Sequence, residues 1–257
     1  MSDLKDVAAM RITSPQDVRR AAIALKALVD SMGAWRIAIC HNIASNRPMR
    51  DADGAMLATS VFGWTEEEED RWWRLPRLAL DSPLPTACRY ESEPFWCNAG
   101  GFHTLLPNPQ LAGIGLQDFE RRALTHAAIL VPVHMPFGVI GAASITPRDR
   151  SLVDLSDIFA AYGDILGLCL RAFVTSYCRV MVSPERVPVG TMLSKREVEC
   201  LRWAAVGKTD LEIGMIMSRS RATVRFHIHN AAMKLDAVNR SQTVFKAAQL
   251  GYIGLNS

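Results

Sequence analysis

Two segments in the first three quarters of the chain carry apolar residues at helical spacing. Between residues 14 and 32 apolar residues recur along one helical face, at Val18, Ala22, Leu25, Leu28, Val29 and Met32. Ser14 and Pro15 form a typical helix start, and Gly33 is a typical stop. Residues 152–178 form a longer apolar stretch with the same period. Both segments predict helices that bury one face.

Other segments have the pattern of strands. RIAICHN (36–42) alternates and contains β-branched residues, and AMLATSVFGW (55–64) is predicted as a second strand. AILVPVHM (128–135) and VIGAASIT (139–146) are joined by Pro136-Phe137-Gly138, which is typical of a hairpin. These four segments predict a small sheet.

Two more helices are predicted between the strands. One begins at Thr65, where Glu68 completes a capping box, and the other spans residues 117–128. The order of the elements predicts an α+β protein whose N-terminal part is an α/β/α sandwich, an antiparallel sheet with helices on both faces.

The last quarter of the chain has the pattern of four short helices. Three of them begin at capping residues paired with Glu or Gln three positions later: Ser194 with Glu197, Thr209 with Glu212, and Asn239 with Gln242. Only Ser218, Arg219 and Ser220 separate the second helix from the third, which spans about 221–235. Two helices joined by so tight a turn predict an all-α, four-helix, helix-turn-helix domain.

The third of these helices has a basic face. Arg221, Arg225 and His229 lie four residues apart, away from an apolar stripe formed by Val224, Ile228, Ala231 and Leu235. Such a helix fits the major groove of DNA, where Arg225 can pair with a guanine edge and His229 can reach a base or a phosphate. Lys208, Thr209 and Arg221 are expected to contact backbone phosphates. Thr223 is a further candidate for DNA binding.

Charge is divided unevenly along the chain. Residues 192–257 contain ten Lys/Arg and five Asp/Glu, which gives a net charge of +5. Residues 1–191 contain nineteen Lys/Arg and twenty-one Asp/Glu, which gives a net charge of −2. SPERVPVG (183–190) interrupts the helical pattern with two prolines and a glycine. We therefore expect a domain of residues 1–178, a linker of residues 179–191, and a domain of residues 192–257 that meets a polyanion.

The C-terminal domain closely resembles the DNA-binding domain of LuxR-family regulators. The resemblance runs from Leu193 to Ile253 without a gap, and includes Glu197, Leu201, Gly207 and the stretch T-V-x-F-H-I-x-N-A-x-x-K-L. It implies a transcription regulator that binds double-stranded DNA as a homodimer at a palindromic promoter site. It also implies that the last helix, from Gln242 to Leu250, takes part in dimerisation.

The N-terminal domain is similar, at scattered positions, to the autoinducer-binding domains of that family. Asp81 and Trp96 keep the fifteen-residue spacing of an acid and a tryptophan that hold the ligand, and Thr146 matches a hydroxyl that often contacts it. Trp72 and Trp64 stand near the positions of the family's aromatic pair. The resemblance implies a homoserine lactone with an acyl or aryl group as the ligand. A different small molecule, or no ligand at all, remains an alternative.

The sequence favours no catalytic or membrane function. It has no nucleophile elbow, no phosphate loop and no Cys/His cluster with metal-ligand spacing, so we expect neither an enzyme nor a metal or other cofactor. It has no run of 18 apolar residues, and its first fifteen residues lack an apolar h-region. We therefore expect a cytoplasmic protein with six free cysteines and no membrane span.

Overall fold

A computed structural model describes residues 7–45, 47–63, 80–182 and 192–254. The chain divides into two compact units, an N-terminal one that contains a sheet and a C-terminal one of helices. The C-terminal helices are α6 (Lys195–Ala205), α7 (Asp210–Met217), α8 (Arg221–Lys234) and α9 (Arg240–Gln249). The N-terminal helices are α1 (Asp17–Ser31), α2 (Leu57–Ser60), α3 (Pro83–Ala87), α4 (Phe119–Ala123) and α5 (Ser156–Met181).

Five strands form one antiparallel sheet in the N-terminal unit. They are β1 (Trp35–Cys40), β2 (Phe95–Asn98), β3 (Gly101–Thr104), β4 (Ala127–His134) and β5 (Ile140–Pro147), in the order β1-β5-β4-β2-β3. Ile145 of β5 lies opposite both Ile37 and Ile129, so these three side chains share one face. Because side chains alternate along a strand, Leu130 points to the other face.

Helices cover both faces of this sheet. The face of Ile129 packs under α1 and α5, with buried contributions from Leu25, Val29, Leu170 and Phe173. The opposite face packs against α3 and the segment around α4, through Leu84, Ala87, Cys88, Leu111 and Phe119. The predicted α/β/α sandwich with an antiparallel sheet is confirmed.

Helix α5 is the long apolar helix that the sequence predicts. It continues to Met181, three residues into the segment predicted as a linker, and residues 183–191 lie outside the described part of the chain. By length and composition it is apolar enough to cross a membrane, with a mean hydropathy of 1.5 over its most apolar window. Its buried residues, which include Leu166, Leu170 and Phe173, pack in the core of the sandwich. That packing is typical of a core helix.

Two predictions of local structure are wrong, and one hairpin has no counterpart among the predicted elements. Residues 55–64, predicted as a strand, contain the short helix α2 with Leu57 and Ala58 buried, because a short apolar run does not distinguish helix from strand. The helix predicted over 117–128 is only α4, which ends where Leu124 adopts a left-handed φ of 58°. The hairpin of β2 and β3 was not predicted, because each strand has only four residues. The capping box from Thr65 to Glu68 lies outside the described residues.

The C-terminal helices begin where the sequence predicts. Ser194 and Thr209 each form a complete capping box with the glutamate three positions on. Asn239 also caps its helix by accepting from the backbone N–H of Gln242, but the Gln242 side chain instead accepts from the backbone N–H of Val238. The four-helix domain is therefore confirmed down to its helix starts.

Candidate functional site

A tight turn joins α7 to α8. Ser218 ends α7 in the left-handed region with φ 52°, and the backbone N–H of Arg219 donates to the carbonyl of Gly214 at 2.8 Å. A Cβ placed on Gly214 would lie 2.7 Å from the carbonyl oxygen of Arg219. The turn therefore approaches α7 so closely that only glycine fits at position 214.

Helix α8 is held from one side and open on the other. Val224, Ile228 and Ala231 are buried in the domain, whereas Arg221, Arg225 and His229 are exposed. The structure therefore brings these three predicted residues together on one face of the helix. The apolar side fixes the orientation of α8, and the basic side is free to meet a polyanion.

The N-terminus of α8 is ordered by its own hydroxyl groups. Ser220 accepts from the backbone N–H of Thr223 at 3.1 Å, and the two side-chain oxygens lie 2.8 Å apart. Thr223 is half-buried, so it is less open to a partner than Arg221 beside it. The positive end of the helix dipole adds to the attraction for phosphate here.

Lys208 and Thr209 lie at the start of α7. The Thr209 hydroxyl donates to Glu212 at 2.8 Å, and the Lys208 ammonium lies 3.9 Å from the same carboxylate. The backbone carbonyl of Lys208 accepts from the Arg240 guanidinium at 2.6 Å, and Arg240 also pairs with Asp210. Arg240, which sequence reasoning missed, thus holds the start of α9 against the segment that carries both residues.

Phe226 is a second residue that sequence reasoning missed. It follows Arg225 on α8 and is 59% exposed. An apolar group in the major groove can contact the methyl group of thymine, and Phe226 lies on the exposed side of the same helix as Arg225. The signal was present in the sequence, because Phe226 stands outside the apolar stripe of its helix.

The N-terminal unit contains a separate cavity of about 150 Å³. It lies on the face of the sheet that packs against α3, under Leu84, Pro85 and Cys88. Strands β1, β4 and β5 form its floor, and the segment after α4 closes one side. Its other lining residues include Arg36, Ala38, Cys40, Ile43, Leu124, Thr125, Leu130, Ala142, Ser144 and Thr146.

The structure does not bring the predicted ligand residues together. Thr146 lines the cavity, but the Asp81 side chain is exposed and does not line it; the Asp81 carbonyl accepts from Arg122 at 2.9 Å. Trp96 lies opposite Ile129, so it belongs to the core under α5 on the other face of the sheet, where it stacks on His103. Trp64 and Trp72 lie outside the described residues.

The parity of β2 explains the position of Trp96. Phe95 and Cys97, its neighbours, pack on the cavity side of the sheet. Adjacent residues of a strand point to opposite faces of the sheet. A spacing of fifteen residues from Asp81 therefore does not show whether Trp96 or one of its neighbours faces a ligand. The register of β2, which only the strand pairing decides, therefore determines that Trp96 faces away from the cavity.

The thiols of Cys40 and Cys88 line the cavity and are uncharged. Burial raises the pKa of Cys40 to about 11, and burial raises the pKa of Cys88 further still. Both groups therefore stay protonated near pH 7 and behave as small apolar groups. All six cysteines are free thiols, as the sequence predicts.

A comparison of the sequence with known families decides what the C-terminal unit is. Residues 191–247 match the family described as bacterial regulatory proteins, luxR family. The C-terminal domain belongs to the LuxR family. The description of the family names regulatory proteins. Within the described residues no group of three or more His, Cys, Asp or Glu side chains is placed to hold a metal ion.

The curated relatives that this chain matches over part of its length are described as regulators as well. It is 35% identical over 127 residues to the transcriptional activator protein VanR of Vibrio anguillarum, covering 49% of this chain and 52% of VanR. It is 35% identical over 153 residues to VjbR of Brucella ovis, a quorum sensing-dependent transcriptional regulator. That match covers 54% of this chain and 52% of VjbR. The chain thus spans about half the length of the curated relatives it matches.

The fold as a whole is similar to a solved structure. Escherichia coli SdiA covers 98% of this chain with 97% of its own length, at a TM-score of 0.50 and 20% sequence identity. SdiA has also been solved in complex with octanoyl-rac-glycerol. At this level of identity, the likeness shows that the two chains share a fold.

Proposed function

We propose that the protein is a transcription regulator in which a small diffusible signal, bound by the N-terminal domain, controls DNA binding by the C-terminal domain. One observation carries the proposal: α8 follows a tight turn and presents Arg221, Arg225 and His229 on its exposed face in a LuxR-family domain. The names of VanR and VjbR support the same role, since both are transcriptional regulators.

In this proposal α8 enters the major groove of double-stranded DNA. Arg225 reads a guanine edge, while His229 reaches a base or phosphate of the same site. Arg221, Lys208 and Thr209 contact phosphates and so set the position of the domain without reading sequence, and Thr223 lies beside them at the start of α8.

The signal is proposed to bind in the cavity between the sheet and α3. Its walls are mostly apolar, and its hydroxyl groups include that of Thr146, which suits a molecule with an apolar body and a few acceptor groups. An acyl- or aryl-homoserine lactone meets that description, as does the glycerol ester in the SdiA complex. Because Asp81 and Trp96 do not reach the cavity, a non-lactone signal is the favoured alternative.

The active form is proposed to be a cytoplasmic homodimer on a palindromic site. Phe245 is 59% exposed on α9, on the side away from the buried Thr243 and Ala247. An exposed aromatic residue on a helix that the family uses for dimerisation is a suitable centre for such an interface.

Selection from a random double-stranded DNA library with the full chain tests the regulator proposal. We expect enrichment of a palindromic motif, bound at least about 1000-fold more tightly than unrelated DNA. Recovery of no motif, with uniform salt-sensitive binding to every sequence, would contradict sequence-specific regulation.

Mass spectrometry tests the signal-binding proposal separately. The protein is purified from cells supplied with a panel of acyl- and aryl-homoserine lactones, its melting temperature is recorded, and its extract is analysed. A recovered ligand should raise the melting temperature, because it binds only the folded state. An unliganded protein with the same melting temperature in every preparation would leave a ligand-independent regulator.

A further inference from the structure

The cavity changes from polar to apolar along the direction of its strands. Strand pairing places Arg36 directly opposite Thr146, then Ala38 opposite Ser144, and then Cys40 opposite Ala142. All six residues line the cavity, and Thr125 lies among the lining residues of the segment before β4. One end therefore carries a guanidinium and hydroxyl groups, while the other is lined by thiol, methyl and larger apolar groups.

Arg36 is the only charged side chain among the described residues that line the cavity. Its guanidinium makes no ion pair with any acidic side chain of the described residues, whereas Arg19 and Arg121 do. The hydroxyl-bearing side chains of Ser144 and Thr146 are half-buried close to it. A guanidinium beside hydroxyl groups is the donor arrangement that matches the two oxygens of a carboxylate.

The enclosed volume of the cavity indicates which apolar group can be buried inside it. At about 150 Å³ the cavity matches the volume in which an apolar protein site accommodates benzene. Leu84, Cys88 and Leu130 supply apolar walls for such a ring, and the raised pKa values of the thiols keep those walls uncharged.

We propose that this cavity selects a small amphipathic carboxylic acid, with its carboxylate on Arg36 and Thr146 and an apolar body of about one aromatic ring against Leu84, Cys88 and Leu130. This inference rests on the proposed function, because it assigns the chemical class of the signal for the same cavity. Arg36 is then the residue that distinguishes an anionic signal from a neutral lactone or ester of similar size.

Phenylacetate and phenylacetamide make a matched pair of probes, because they have nearly the same shape and differ in charge. Isothermal titration of the full chain at millimolar probe should show phenylacetate binding about 10- to 100-fold more tightly than phenylacetamide. That ratio corresponds to a hydrogen bond to a charged group. The preference should weaken as salt is raised, because Arg36 is exposed at the cavity.

Substitutions locate the source of the preference. Arg36→Gln should abolish the preference for phenylacetate while leaving the binding of phenylacetamide within about twofold. Arg36→Lys should restore part of the preference, since an ammonium keeps the charge but lacks the planar pair of donors. Arg171→Gln, on the exposed side of α5 across the sheet, is the matched control and should leave both affinities unchanged.

The outcomes separate this inference from the proposed function. Equal binding of the two probes, or a preference that survives in Arg36→Gln, would overturn the role of Arg36. If neither probe binds but a neutral N-acyl-homoserine lactone does, the carboxylate is excluded and signal binding stands. If neither the probes nor the lactone bind, both the anionic ligand and the sensing function fall, and DNA selection still decides the regulatory role.

Discussion

The buried carboxylate of Glu197 accepts a hydrogen bond of 2.8 Å from the ammonium of Lys234, joining the start of α6 to the end of α8. The same carboxylate oxygen accepts from the backbone N–H of Ser194 at 2.7 Å. Burial raises the pKa of Glu197, but the hydrogen bonds from Lys234 and Ser194 outweigh it and hold the pKa below its usual value. One side chain thus fixes the start of α6 and the C-terminal end of α8.

Glu197→Gln should lower the free energy of unfolding of the C-terminal domain by about 1–3 kcal/mol, the cost of weakening hydrogen bonds that involve a buried charge. Since the folded pKa is depressed, this stabilisation is present above the unfolded pKa of about 4.3 and is lost as pH falls through the folded value. Urea unfolding from pH 7 downwards should therefore show a difference between wild type and variant that shrinks below about pH 4.3.

Glu199→Gln is the matched control for this prediction. Glu199 pairs with Arg196 on the surface of the same helix, where both side chains are more than one third exposed. Loss of this surface ion pair should change the free energy of unfolding by less than about 1 kcal/mol. Equal effects of the two variants at pH 7 would show that the buried position of Glu197 is unimportant.

Gly214→Ala should destabilise the turn between α7 and α8 by about 1–3 kcal/mol, because the added Cβ meets a backbone carbonyl that cannot move aside cheaply. Hydrogen–deuterium exchange of peptides covering residues 210–235 should become faster. Gly113→Ala, where the new Cβ meets nothing within 4 Å, is the control. Unchanged exchange in Gly214→Ala would mean that the turn relaxes without cost.

Arg225→Ala should weaken the free energy of binding to the selected DNA motif by about 1–3 kcal/mol and relax specificity at one base pair. Arg221→Ala should instead weaken binding to every sequence and reduce the salt slope by about one. Arg202→Ala, exposed on α6, is the control that removes a charge elsewhere. Fluorescence anisotropy on motif and random DNA separates the two roles, and equal losses from Arg225→Ala on both would make it a phosphate contact.

Phe245→Ala should weaken the homodimer at least about tenfold, since truncating a central aromatic residue of an interface commonly costs more than 1 kcal/mol. Sedimentation equilibrium of the full chain measures the dissociation constant. Phe226→Ala is a matched control, because both phenylalanines are 59% exposed in the same domain. It should leave the dimer intact while weakening DNA binding. The same dissociation constant for wild type and Phe245→Ala would exclude the α9 face.

Local sequence signals are sufficient to predict the helices of the C-terminal domain. Its helix starts depend on hydroxyl and glutamate pairs three residues apart, and these contacts form within one turn of the helix. The exposed face of α8 follows from a spacing of four, so Arg221, Arg225 and His229 group together on the sequence alone. Phe226 carries no charge, so the spacing of basic residues does not single it out.

The sequence predicts the N-terminal site less well than the C-terminal one, because that site depends on how strands pair. Thr146 was placed on a strand correctly, and the pairing of β1 with β5 brings it to Arg36, which no local pattern marked. The spacing between Asp81 and Trp96 gave no information on which face of β2 carries the tryptophan. A shift of one residue along a strand exchanges the two faces.

The sequence by itself determined the helix-turn-helix, its capping residues, its basic face and the presence of a sheet between helices. These features depend on periodicity and on contacts between residues a few positions apart. Only the tertiary structure decided that the cavity lies beneath α3, that Arg36 and Thr146 share its polar end, and that Trp96 lies in the opposite core. Residues more than one hundred positions apart meet there, and strand register, set by the packing of the whole sheet, decides which side chains face each other.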